Sequence, residues 1–506
     1  MAQLWSKHIC DHLRCYKTDI GITLGSLIVS FLGWHLILYH FSLLKHFPGP
    51  SFARFTNLWR LLLVVKADYA PTMKRLHEKY GPLVRIGPIH WAFPKSDFYK
   101  NTAAVVDGKI RYHLFSETDN VAHAHLKRPI AWYYKAKSVL DKESLIDEVI
   151  CELLECLDDR FVDRDKTFDL GSWLGYYAWD TVSAVKFSKR FGYMEKDYDF
   201  DGTLHIANQS IHYLGMISQV PWLDYFLDRN PIVRLGSSNL YNVTGIALGS
   251  LGPRLKDEHP NFNVSKPDYL QHVIDAKETH PNVADDLTIV DFLLLNLIAD
   301  ADTTTIVVRA LFYYALRSPR VRKRLGDEVL AAGIDASCPD PFRIARSLPY
   351  LEAVCREAMR MHPSVSMSME RIVPEPGLKL PNGRFIPAGT IVGMNPYILG
   401  RNKAIYGDDA DEFRPERWLR RDNESDADHQ THMRPWNAAD LTFGAGSRIC
   451  LGKNLSMMDM HKVVASLIAR YEIELIDPNE QWQALSRWFS YIKGGLTCRL
   501  ESRRAG

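Results

Sequence analysis

The chain opens with an apolar block and then changes character. Ile20 to Leu44 reads IGITLGSLIVSFLGWHLILYHFSLL, 25 residues without Asp, Glu, Lys or Arg. About 20 apolar residues are enough to cross a bilayer as a helix, so 20–44 is expected to be a transmembrane anchor. Trp34 and Tyr39 suit an interfacial belt toward its C-terminal end. A cleaved signal peptide is disfavoured, because the run is long and lacks a small-residue cleavage pattern. Residues 1–19 form a short tail. Phe47-Pro48-Gly49-Pro50 makes a stiff, non-helical exit, so 45–50 reads as a hinge ahead of a body spanning 51–506. Lys7, Arg14 and Lys17 before the block balance Lys45, Arg54 and Arg60 after it, so charge alone does not orient it.

In the body, the periodicity predicts helices over Ala70–Tyr80, Lys142–Phe161, Asp291–Leu316 and Leu351–Met361. The helix over Asp291–Leu316 is nearly all apolar at its start and is expected to be buried. Leu83–Gly87 and Ile89–Phe93 read as two strands of a hairpin. Leu378–Leu380 and Arg384–Ile386 flank Pro-Asn-Gly, a tight turn. Strands lie toward both ends and helices between, which predicts a mainly α body with a minor β-sheet region.

Composition narrows the class. With 506 residues, 46% of them hydrophobic, and a formal net charge of +2, the chain can bury a large core and offers no basic surplus for nucleic acid. Its eight cysteines show no CxxC spacing, so neither a zinc site nor a disulfide framework is expected, and a reducing compartment fits best.

One of those cysteines stands out. Cys450 lies in Phe443-Gly-Ala-Gly446-Ser-Arg448-Ile-Cys450-Leu-Gly452, before a stretch from Lys453 that reads as a helix start. A thiolate there would face unpaired N–H groups and the positive end of the helix dipole. The glycines let the backbone pass close to a large flat ligand, and Arg448 is placed to pair with a carboxylate on it. This is the logic of a cysteine-ligated haem.

The stretch resembles the haem-binding loop of the cytochrome P450 superfamily, FxxGxRxCxG, with every fixed position filled. The resemblance covers nearly the whole chain from Phe47 onward. It implies the cytochrome P450 fold preceded by a single N-terminal transmembrane helix, and haem b with Cys450 as the iron's axial ligand. It also implies a lumenal tail, a catalytic body in the cytosol and residence in the endoplasmic reticulum membrane. The sequons at Asn208, Asn242, Asn263, Asn423 and Asn454 would then go unused.

Further motifs carry the same resemblance. Glu357-Ala-Met-Arg360 places a carboxylate and a guanidinium on one helical face. Alone, that is an exposed ion pair. With Phe413-Arg-Pro-Glu-Arg417-Trp418 downstream, it resembles the family's buried triad, here Glu357, Arg360 and Arg417. Ala299-Asp300-Ala301-Asp302-Thr303-Thr304 resembles the family's oxygen-side motif. It implies that Asp302 and Thr303 serve as the acid and alcohol of a proton relay. Asp300 departs from the usual glycine. Its carboxylate could strengthen the relay, bind a polar substrate group or turn aside.

The remaining assignments are positional. His123, Lys127 and Arg128 form an HxxxKR arrangement that, with Arg448 and Arg371, is expected to meet the haem propionates. Asn296 shares a helical face with Asp300 and Thr303, and so meets either substrate or a backbone or water partner. Val365, Phe489 and their neighbours are expected to wall the substrate, although the aromatics suit an ordinary core equally well. Lys127, Arg128, Lys135, Lys137 and Lys453 could dock a redox partner. The chain lacks a flavin or dinucleotide motif, so the resemblance implies a NADPH–cytochrome reductase, with cytochrome b5 as a further donor.

Among relatives, Met394–Asn402 and Ala404–Trp418 are most similar to the fungal microsomal, pisatin demethylase-like group. That predicts monooxygenation of a small apolar natural product with O2. An isomerase or dehydratase needing no external electrons, and a non-catalytic haem binder, are the alternatives. Asp302 and Thr303 count against both.

Overall fold

The computed structural model describes residues 44–87, 104–106, 109–230, 241–256 and 267–503, with isolated positions between 23 and 37 and at 232, 233 and 235. The tail, 1–19, lies outside the described residues, and so does most of the expected anchor, 20–44. Among the described residues, no helix is long and apolar enough to cross a membrane.

Two compact units emerge. The smaller comprises residues 1–60, 74–95 and 371–392. Leu44, Val373 and Ile386 are buried together in it, with Phe47, Leu380 and Val392 packed around them. The hairpin expected over Leu83–Phe93 is corrected for its first half: Leu83–Gly87 forms no strand, and Ile89–Phe93 lies outside the described residues. The reason is local, because Arg85 N–H donates to the Pro48 carbonyl at 2.7 Å instead of to a neighbouring strand. Leu378–Lys379 pairs antiparallel with Phe385–Ile386 as the Pro-Asn-Gly turn predicts. Gly383 supplies its left-handed residue, at φ +80°.

The larger unit comprises residues 61–73, 96–370 and 393–506 and is mainly helical. Its axis is a 32-residue helix, Asp286–Arg317. The sequence reading began this helix five residues late. Asp285 caps it, its side chain accepting from Thr288 N–H at 2.8 Å, which satisfies one of the helix's orphan donors. The long helix packs against Leu170–Phe187, Pro349–Met361 and Lys453–Arg470. All four contribute to one continuous apolar core that includes Trp179, Leu297, Phe312, Leu351 and Val463. The β structure is peripheral. Phe168–Asp169, Thr497–Ser502 and Tyr471–Leu475 form one antiparallel sheet, with Thr497–Ser502 in the middle. Gln483–Ser486 and Ser490–Lys493 form a hairpin, and its tip carries Phe489, bridged to Val365.

Candidate active site

Glu357 anchors the site's scaffold. It is fully buried on the helix Pro349–Met361. Its carboxylate accepts from Arg360 Nη2 at 2.7 Å and Nε at 2.8 Å, from Arg417 Nε at 3.0 Å, and from Trp418 Nε1 at 2.8 Å. The Arg414 backbone N–H adds another bond at 2.8 Å. Arg360 reaches on to the carbonyls of Gly400, Ala410 and Glu412, and Arg417 to those of Tyr406 and Asp409. A buried ion cluster persists only when every charge is paired and hydrogen-bonded, and here that condition holds the whole stretch from Gly400 to Trp418 in place. Gly400 shows how tight the fit is. A Cβ there would lie 2.5 Å from the Arg360 carbonyl oxygen.

The Cys450 loop follows. Cys450 N–H donates to the Phe443 carbonyl at 2.8 Å, closing the loop on itself. Gly444 and Gly446 take left-handed φ values of +70° and +67°, which a side chain would resist. Nothing lies within 4 Å of a Cβ built on Gly446. Helix Lys453–Arg470 starts directly behind the sulfur. The residue is exposed, although protein around the thiol still desolvates it. Burial pushes it up from its usual range, and the N–H groups of Gly452 and Lys453 pull the other way. Metal coordination deprotonates a thiol outright, so a ligated iron is the partner this arrangement suits. Directly relevant too is Ala299, exposed in the middle of the otherwise mostly buried long helix. The open glycine cradle, the backed sulfur and this small, uncovered helical residue fit a haem.

The cations gather as a group, with exceptions. Arg448 donates to the Glu117 carbonyl at 2.6 Å and to Asn120 Oδ1 at 3.3 Å. That ties it to the start of the helix Asn120–Lys127, which carries buried His123. Burial, then the positive charges of Arg448 and Lys127, hold His123 down to about 4, so it is neutral at pH 7. Arg128 is exposed at that helix's C-cap, outside this group. Arg371 belongs to the smaller unit, exposed on the strand Met369–Ile372.

The long helix distributes its polar residues over different faces. Thr303 lies one turn beyond Ala299 and donates its hydroxyl to the Ala299 carbonyl at 2.7 Å. Its own carbonyl accepts from Ser364 at 2.6 Å. Asp302 points elsewhere, accepting from Tyr491 O–H at 2.7 Å and from Trp179 Nε1 at 3.2 Å. Burial raises its pKa, and those two donors oppose the rise. Asp300 turns aside to an ion pair with Lys186 at 3.2 Å. The Lys186 ammonium lies 5.5, 5.2 and 4.9 Å from the ring centres of Tyr133, Tyr134 and Tyr269, a cation–π cage. Beside Asp300 is a cavity of about 10 Å³, lined also by Thr181, Thr304, Ser456 and Asp459. That is barely room for one water.

Asn296 lies on the same helical face as Asp300 and Thr303, but its side chain is taken up by other partners. Its amide donates to Tyr269 O–H at 2.8 Å and to the Phe292 carbonyl at 2.7 Å, and it accepts from Tyr134. Both amide protons are thus used, one on Tyr269 and one on the helix backbone, which is the backbone-partner alternative for this residue rather than the substrate one. Val365 and Phe489 do come together. Phe489 is buried with Ile211 and Ile306, while Leu214, Ile298, Val365, Trp488 and Tyr491 pack around them. Sequence reasoning missed Lys186, Trp179 and Ser364, and placed Tyr491 only as core or pocket wall. The one available signal was Asp300 itself, since a carboxylate at a buried helical position requires a partner.

A helical body with a thiolate floor, a buried charge triad and an acid–alcohol pair on its longest helix defines a haem-thiolate protein. Comparison with known proteins agrees. The family profile described as cytochrome P450 matches residues 120–497. The cytochrome P450 monooxygenase cfoH of Aspergillus candidus is 36% identical over 94% of this chain and 92% of its own length. AFLA_114810 of Aspergillus flavus, also named a cytochrome P450 monooxygenase, is 32% identical over 92% of this chain and 93% of its own. Cytochrome P450 monooxygenase mpaDE of Penicillium roqueforti is 35% identical over 96% of this chain, which spans 58% of that protein. The chain belongs to the cytochrome P450 family and is a haem-thiolate monooxygenase.

Proposed function

We propose that this monooxygenase oxidises a small, fairly apolar natural product in a fungal secondary-metabolite pathway. Electrons come from NADPH through a membrane-bound cytochrome reductase, and the segment 20–44 anchors the chain in the endoplasmic reticulum membrane. The observation that supports the substrate reading is the apolar cluster of Ile211, Ile306 and Phe489, with Leu214, Ile298 and Val365 packed around it, which we read as one wall of the substrate site. Phe115 extends it, its ring 5.8 Å from that of Trp488. Such a wall holds ligand by removing apolar surface from water, worth roughly 25 cal/mol per Å², and orients it by shape rather than by charge.

Cys450, backed by the Gly452 and Lys453 amides, would hold the haem iron, with Arg448 and His123 toward the propionates. When bound, the haem supplies the oxygen chemistry, to which the thiolate contributes electron density. The protein's own work is positional. Thr303 keeps a hydroxyl beside Ala299 on the open stretch of the long helix. Asp302 is a buried carboxylate kept in one place by Tyr491 and Trp179, ready to hold or release a proton. Exposed Lys135, Lys137 and Lys453 support the docking of an acidic redox partner.

Reconstitution of the full chain with reductase, NADPH and isotopically labelled O2 tests the reading. The expected result is one labelled oxygen atom in the product, with turnover abolished when NADPH is withheld. Turnover without any electron donor would instead favour an isomerase or dehydratase.

A further inference from the structure

Upstream of the haem loop's cysteine, Glu424, His429 and His432 form a second group with ligand chemistry. Glu424 follows the segment held by the triad, and the two histidines occupy the first two turns of the helix Asp426–Ala439. One ligand atom from each residue lies within 4.8 Å of the others. His429 Nδ1 is 3.1 Å from one Glu424 oxygen, and His432 Nδ1 is 3.3 Å from the other. An edge of a zinc tetrahedron built on bonds of about 2.0–2.1 Å measures about 3.3 Å. Each histidine nitrogen is therefore about one tetrahedral edge from a Glu424 oxygen, His429 from one oxygen and His432 from the other.

A purely internal role for the cluster leaves one atom unexplained. His432 Nδ1 is buried and makes no hydrogen bond, although it faces the Glu424 carboxylate. In the tautomer that leaves Nδ1 unprotonated, its lone pair and the Glu424 carboxylate face a common centre, as a cation requires. On the other side of the ring, His432 Nε2 lies 2.9 Å from Arg421 Nη2. Arg421 is exposed and can swing aside when the ring nitrogens exchange roles. The His432 ring is further fixed by packing at 4.5 Å from the Trp436 ring. Trp436 in turn packs with Trp418, which donates to Glu357.

We propose that Glu424, His429 and His432 bind a zinc-class divalent cation, which clips the loop after Trp418 to the helix Asp426–Ala439. Three protein ligands leave the fourth tetrahedral position to water, and the ion is redox-inert, so it takes no part in oxygen chemistry. Its effect is to stiffen the outer side of the Trp418–Trp436 cluster on which the Glu357 triad rests.

The test uses the full-length, haem-loaded protein stripped with a chelator, then dialysed against Zn2+ and washed. Metal analysis is expected to find one zinc per haem iron. A chromophoric chelator competition on His429→Ala, His432→Ala and Glu424→Gln should each show affinity reduced by at least about tenfold, the lower bound set by loss of even an outer-shell partner. Zinc should also raise the unfolding temperature of the parent protein and not of the variants. If His432→Ala fails to fold, His429→Ala and Glu424→Gln carry the test, with the thiolate–carbon monoxide spectrum confirming an intact haem site. Absence of stoichiometric zinc, or equal retention by parent and variants, would overturn the proposal.

Discussion

Lys186 and Asp300 form an ion pair at 3.2 Å in the core of the larger unit, the lysine ringed by three tyrosines. The pair explains how this helix tolerates a carboxylate in place of the usual glycine. Burial lowers the lysine's pKa, and Asp300 opposes that. Lys186→Met should cost about 3–5 kcal/mol, the penalty of an unpaired buried charge. Asp300→Gly should cost less, because Lys186 can shed its proton. The double variant Lys186→Met with Asp300→Gly should recover most of the loss, read by thermal unfolding. A double variant as unstable as Lys186→Met alone would show that the two residues are not coupled.

Glu357 accepts hydrogen bonds from three side chains and one backbone amide. Glu357→Gln keeps the shape but strands two buried guanidinium groups. We expect a loss of several kcal/mol and protein that fails to retain haem, measured as the haem-to-protein absorbance ratio. A normal ratio would contradict the scaffold role.

Cys450→Ser should abolish the red-shifted band of the reduced carbon monoxide complex, along with NADPH-driven turnover. Oxygen is a harder and weaker donor to iron than sulfur, so a surviving band would place the ligand elsewhere.

Thr303→Ala removes a hydroxyl now bonded to the Ala299 carbonyl. Product formed per NADPH should fall and released hydrogen peroxide should rise, with substrate affinity nearly unchanged. Unchanged coupling would move the relay to another group on this helix.

Asp459 is buried and accepts from Tyr177. Burial holds its carboxyl up to about 7, against the ordinary 3.8 of an aspartate in the unfolded chain. Between those values the folded state binds more protons than the unfolded state, so stability should fall as pH rises through that window and level off above it. Asp459→Asn should flatten this slope in denaturant titrations at stepped pH. A slope equal to the parent's would assign it to other groups.

Much of the site was legible in sequence because it is built from local spacing. Cys450 with its glycines, and Glu357 with Arg360, are fixed by short intervals, and the helix period alone places the latter pair on one face. What escaped is long-range. Asp302's partners Trp179 and Tyr491 lie 123 and 189 residues away, so no local pattern relates them. Asn296 and Thr303 share a helical face, about 20° apart at a seven-residue interval, but a shared face does not choose a side chain's partner. The real helix directs one to a tyrosine cage and the other to its own backbone.

Asn454 sits in a glycosylation sequon, yet its side-chain amide donates to the Tyr134 carbonyl at 2.9 Å. Attaching a sugar to that nitrogen would require breaking this bond at the start of the helix behind Cys450. A correctly folded molecule is therefore refractory to modification at this asparagine. Any sugar found there would mark chains diverted to the wrong side of a membrane before folding.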